Sequence, residues 1–122
     1  MREKPRHMAF FYVSAAEARA EPVSRPPLDV YRTQTGWLLK FDLPGVRAED
    51  VDVQTYGSTL LVRGARRDHM EEDVTSVHMM EISYTRFERA IELPCNLDEA
   101  MLMLEFRDGN LMIRVSPPGG NK

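Results

Sequence analysis

Met101-Leu102-Met103-Leu104-Glu105-Phe106-Arg107-Asp108-Gly109-Asn110-Leu111-Met112-Ile113-Arg114-Val115 is the stretch that decides the fold. Leu102, Leu104 and Phe106 alternate with other residues before Asp108-Gly109, and Leu111, Ile113 and Val115 alternate after it. A period of two places each apolar set on one face of a pleated strand. An Asp-Gly pair between two such runs predicts a tight hairpin. Pro117-Pro118-Gly119-Gly120 then forbids continuation of the second strand.

The same texture extends upstream as far as Leu28. Leu28 and Val30 alternate with Asp29 and Tyr31, and a turn follows at Thr35-Gly36. Trp37, Leu39, Phe41 and Leu43 share one face of a strand that stops at Pro44-Gly45. Val51 and Val53 form a third run before Tyr56-Gly57-Ser58, and Leu60 and Val62 a fourth that is expected to close at Gly64. Phe87, Ile91 and Leu93 share a face in a later strand ending at Pro94. Short alternating runs separated by turn residues predict an all-β, antiparallel sandwich or barrel.

The boundaries follow from these breaks. Residues 1–27 form an N-terminal arm whose end, with Pro22, Pro26 and Pro27, is a Pro-rich linker. Residues 28–116 are one domain, and 117–122 a short tail. The arm holds one short amphipathic candidate, about Ala9 to Ala20, with the apolar cluster Phe10, Phe11, Tyr12 and Val13. Glu17, Arg19 and Glu21 follow that cluster too soon for a signal-peptide core, and no apolar run is long enough to span a bilayer, so a cytoplasmic protein is expected. The single cysteine, Cys95, excludes an internal disulfide.

Charge narrows the function classes. Residues 1–27 carry five Lys/Arg against three Glu, whereas residues 28–116 carry ten basic against sixteen acidic side chains. A domain so acidic repels phosphate backbones, which argues against nucleic acid as a partner. His7, His69, His78 and Cys95 lie without metal-ligand spacing, Glu71-Glu72-Asp73 reads as a solvated loop, and Gly119-Gly120 precedes no helix. No catalytic residue, metal or cofactor is expected, and the protein is not read as an enzyme.

Between Gly64 and Phe87 the period fails. Arg66 to Asp73 is too charged to be buried, and Val77, Met79, Met80 and Ile82 follow without a clean alternation. So long a connection inside a compact domain is functional or disordered. Its second half is a candidate strand whose partner lies on another chain.

Five segments, in unbroken order, resemble the α-crystallin domain of small heat-shock proteins, the Hsp20 family, in its bacterial type. They are Asp42-Leu43-Pro44-Gly45-Val46 with Glu49-Asp50-Val51, then Leu60-Leu61-Val62-Arg63-Gly64, then Glu81 to Arg89, then Leu93-Pro94, and finally Gly109-Asn110-Leu111-Met112-Ile113. The resemblance implies an immunoglobulin-like sandwich that acts as an ATP-independent holdase, binding partly unfolded clients to prevent aggregation. It also implies a strand-swapped homodimer, in which Val77, His78, Met79 and Met80 pair with the partner's first strand, around Val30 and Tyr31. A co-chaperone or scaffold module with the same sandwich is the alternative.

Single residues refine this reading. Arg89 falls on the face of Phe87 and Ile91, so its guanidinium must be paired or must snorkel to water; in the resembled family the matching arginine joins ion pairs near the dimer interface. Met101 and Met103 lie opposite the expected core face, as flexible contacts for clients or for another subunit. Phe10, Phe11, Tyr12 and Val13 are the arm's candidates for client binding or self-association, or else dock on their own domain. The family's isoleucine-x-isoleucine tail motif has no counterpart after Val115. A dimer or small oligomer is therefore expected, with a tail-bearing paralogue as a further partner and no membrane.

Overall fold

The computed structural model describes residues 23–70 and 73–119. Among the described residues, eight strands form two four-stranded sheets. They are β1 (Val23–Ser24), β2 (Leu28–Arg32), β3 (Trp37–Asp42), β4 (Val51–Tyr56), β5 (Thr59–Ala65), β6 (Arg86–Glu92), β7 (Met101–Arg107) and β8 (Asn110–Ser116). One sheet runs β1-β6-β5-β4 and the other β2-β3-β8-β7. Two short 3-10 turns, Ala48–Asp50 and Leu97–Glu99, precede β4 and β7. The fold is an all-β sandwich, as the alternation implies.

The decisive hairpin forms as expected. β7 pairs antiparallel with β8 from Met101 opposite Ser116 to Arg107 opposite Asn110. Asp108 and Gly109 both have positive φ, 55° and 79°. That geometry matches the right-handed twist of the flanking strands, and Asp and Gly tolerate it best. Gly57 likewise has positive φ in the two-residue turn that joins β4 to β5.

The core lies between the sheets. Leu39, Phe41, Leu60, Val62, Leu111, Ile113 and Val115 are all but inaccessible to water. Each such side chain contributes roughly 1.5–3 kcal/mol relative to an exposed one. They come from the inward rows of β3, β5 and β8, three of the four strands that have a neighbour on both sides among the described residues. Trp37, Leu28 and Phe106 cover the rim of this core.

Three features depart from the sequence expectation. β5 does not close at Gly64 but passes through it, since Gly64 pairs with Val51 on one side and Phe87 on the other. A Cβ at Gly64 would lie 2.0 Å from the Asp50 carbonyl oxygen, so only glycine admits this approach. The linker contributes β1, whose Val23 and Ser24 pair in parallel with Arg86 and Phe87. Leu104, on the core side of β7, is 48% exposed because β7 is an edge strand and nothing among the described residues closes over it.

Candidate assembly and client-binding surfaces

The first candidate surface is the open edge of β2. This strand pairs with β3 only, from Leu28 opposite Phe41 to Arg32 opposite Trp37. Its other edge has no strand partner among the described residues, and Val30 and Tyr31 are exposed on it. An unpaired edge of this length is a template for strand addition from another chain. Arg32 stacks 4.5 Å above the Trp37 ring and holds the strand's end against β3.

The second surface is the connection between β5 and β6. A backbone hydrogen bond from Arg66 N to Thr85 O, 3.0 Å, closes its neck. Beyond that neck, residues 73–83 are exposed and form no strand within the subunit. Val77 is 60% and Met79 71% exposed, and Met80 and Ile82 are similarly bare. Met70, Val77, Met79, Met80, Ile82 and Tyr84 line an open cavity of about 490 Å³. His78 lies in the same stretch, also exposed. An apolar segment of this kind without a partner marks an interaction surface.

β4 and β7 are end strands of the two sheets. The 3-10 turn before β7 bridges them, because Asp98 Oδ1 accepts from Thr55 Oγ1 at 3.1 Å and its Oδ2 from Gly57 N at 3.0 Å. Asn96 caps the turn, its side chain accepting from Asp98 N. Val51 and Val53 are buried on the inner side of β4, while Leu104 stands open on the inner side of β7. Met101 and Met103 are exposed on the face of β7 opposite Leu104.

Arg89 lies in the middle of β6, opposite the buried Val62. Its Nη1 donates to the Pro26 carbonyl, 2.9 Å away, while its Nε is buried with no partner. No carboxylate pairs with it among the described residues. The half-buried cation is thus held by a neutral acceptor on the linker, a third arrangement beside the ion pair and the snorkel to water. A second chain that brought a carboxylate here would find a desolvated partner.

Sequence reasoning missed one cluster. Asp50, 4% exposed, closes the 3-10 turn before β4. Its Oδ1 lies 3.3 Å from Arg67 Nε and its Oδ2 2.7 Å from His69 Nε2. The three residues are up to nineteen apart in sequence, so only the pairing of β4 with β5 brings them together. Asp52, also buried, accepts from Gln54 Nε2 at 2.6 Å. Cys95 is half-buried, and burial pushes its thiol above the usual range while the Arg32 cation draws it partly back.

Among the described residues no group of His, Cys, Asp and Glu is arranged to hold a metal ion. No described helix is long and apolar enough to cross a membrane. Phe10, Phe11, Tyr12 and Val13 lie outside the described residues.

Comparison with known proteins agrees with this geometry. Residues 29–122 match the model of the Hsp20/alpha crystallin family. Small heat shock protein C2 of Rickettsia felis is 30% identical over 105 residues, covering 86% of this chain and 68% of that protein. Small heat shock protein C4 of the same organism is 31% identical over 90 residues, 74% of this chain and 55% of that protein. In fold the chain is similar to heat shock protein 16.0 from Schizosaccharomyces pombe, with TM-score 0.66 at 23% identity over 83% of this chain and 93% of that one. The hspA from Xanthomonas axonopodis gives 0.60 at 27% identity over 80% and 97%. On the match of its sandwich strands and of its sequence from Asp29 onward, the chain belongs to the Hsp20/alpha crystallin family.

Proposed function

We propose that this protein is an ATP-independent holdase of the cytoplasm, which binds partly unfolded proteins through exposed apolar side chains and performs no reaction on them. The observation that carries the reading is the concentration of large apolar groups on water-exposed positions of the β5–β6 connection: Val77, Met79, Met80 and Ile82. Flexible, polarisable methionines adapt to partners of varied shape, as a binder of many clients requires. Family membership supports a chaperone role in general.

Assembly is part of the proposal. The working unit is a strand-exchanged homodimer, in which residues 77–80 add to the open edge of the partner's β2 at Val30 and Tyr31. Two features of one subunit, an edge without a strand and a segment without a partner among the described residues, meet through backbone hydrogen bonds when a second copy is present, and the side chains of residues 77–80 that face away from the sheet stay open to clients. Arg89 then stands near the interface with an unmatched charge. Met101 and Met103, with the arm residues Phe10 to Val13, extend the client-binding surface, and residues 28–116 fold as one unit. The open face of β7 at Leu104 receives the tail of another subunit or of a tail-bearing paralogue.

Light scattering from a heat-denatured client, measured without nucleotide, tests the reading. Suppression near stoichiometric ratios supports it. Clients that aggregate at every ratio would favour a scaffold module, and nucleotide-dependent binding to a large chaperone would favour a co-chaperone.

A further inference from the structure

The geometry points to Asp50 as the positioning residue that fixes where the β5–β6 connection leaves the sandwich. Both its carboxylate oxygens are taken by the first residues of that connection, Arg67 at 3.3 Å and His69 at 2.7 Å. The mounting is asymmetric. Asp50 is buried, its backbone N donates to Arg47 O at 2.9 Å, and its carbonyl packs into the space that Gly64 leaves open. Arg67 and His69 stand on the connection side, in the run that leads to the exposed residues 73–83.

This arrangement makes the carboxylate a fixed post and the connection a strap tied to it. Charge-assisted hydrogen bonds to a buried carboxylate are stronger than neutral ones, because little water competes for the oxygens. One such bond, to His69, and an ion pair to Arg67 two residues earlier define a direction as well as a distance. Together with the Arg66–Thr85 bond they hold the neck of the connection in one orientation, while the apolar segment beyond stays free to pair elsewhere. Releasing Asp50 would let the segment swing, and would change how readily it is exchanged between subunits. That last consequence rests on the strand-exchange reading above; the anchoring itself does not.

Hydrogen exchange read by mass spectrometry on the full chain separates the two. Asp50→Asn and His69→Ala are compared with the parent, singly and combined. The expected result is uptake about tenfold faster at the neck, in peptides around Arg66 whose backbone N donates to Thr85, in each single variant, on the scale of one charge-assisted bond. β3, β5 and β8 keep their protection. The double variant adds little to Asp50→Asn, because the two residues share one interaction. Unchanged uptake at the neck, or uptake that rises equally in the core strands, overturns the anchoring role. Should Asp50→Asn not fold, His69→Ala and Arg67→Gln give the same reading from exposed or half-exposed positions. Mixing isotopically labelled subunits then tests the consequence. Faster subunit exchange in the variants supports it, and loosened connections in a chain that stays monomeric keep the anchor but remove the exchange reading.

Discussion

Arg89 reaches from the middle of β6 to the carbonyl of Pro26, joining the sandwich to the linker through one 2.9 Å hydrogen bond. A guanidinium on the inward row of a strand is costly to desolvate, and here a single neutral acceptor holds it. Arg89→Gly removes that bond and adds the backbone freedom of glycine to a strand. The expected cost is about 2 kcal/mol, seen as a lower thermal midpoint, a smaller dimer fraction by sedimentation, and aggregation on warming. A melting curve and dimer fraction equal to the parent's would contradict this role.

Gly64 is the tightest point of the first sheet. A methyl group there would meet the Asp50 carbonyl oxygen at 2.0 Å and Phe87 Cζ at 2.8 Å. Backbone oxygen cannot yield as a side-chain tip can. Gly64→Ala should therefore lose about 2–3 kcal/mol, the upper range for overpacking, read as a shift of the urea midpoint at constant slope. An unshifted midpoint would mean that β4 and β5 separate more easily than their pairing implies.

Removal of residues 68–80 takes away the proposed exchange segment but no core side chain. The shortened chain should keep its sandwich by circular dichroism and sediment as a monomer. A stable dimer would show that the subunits meet elsewhere.

The pattern of strands was readable because their inward rows are nearly pure hydrocarbon. Leu39 and Phe41, and Leu111, Ile113 and Val115, announce their burial by period alone. Leu104 obeys the same period yet stays half open, since alternation reports which face a residue takes and not whether that face is covered. Gly64 reads as a terminator because glycine usually weakens strands; its reason, a close approach of the Asp50 carbonyl in the turn before β4, exists only in three dimensions. The Asp50–Arg67–His69 cluster was illegible for the same cause. Its members carry no mutual spacing signal, and the register of β4 on β5 alone joins them. The candidate interface residues Val77 to Met80 were legible as an anomaly, a stretch too apolar for its lack of period.

Cys95 offers a check on local electrostatics. Burial raises its pKa and the Arg32 cation opposes the rise, so the thiolate is scarce at neutral pH and grows only as pH climbs. Iodoacetamide at pH 7 should label folded Cys95 more slowly than the unfolded chain. Arg32→Ala should slow it further, because the charge that favours the thiolate is gone. Faster labelling in Arg32→Ala, followed by mass spectrometry, would reverse the assigned sign.

The central claim is that the bare apolar side chains of the β5–β6 connection hold unfolding proteins. Its most direct test is light scattering from a heated client with no nucleotide present, comparing the parent chain with a variant carrying Val77→Ser, Met79→Ser, Met80→Ser and Ile82→Ser. None of these side chains belongs to the core, so the sandwich should keep its circular dichroism, and the dimer fraction is followed by sedimentation alongside, since residues 77–80 are also the proposed exchange segment. The account predicts suppression of scattering by the parent and at least a severalfold loss of potency in the variant. Equal suppression by both chains, or none by either, would contradict it.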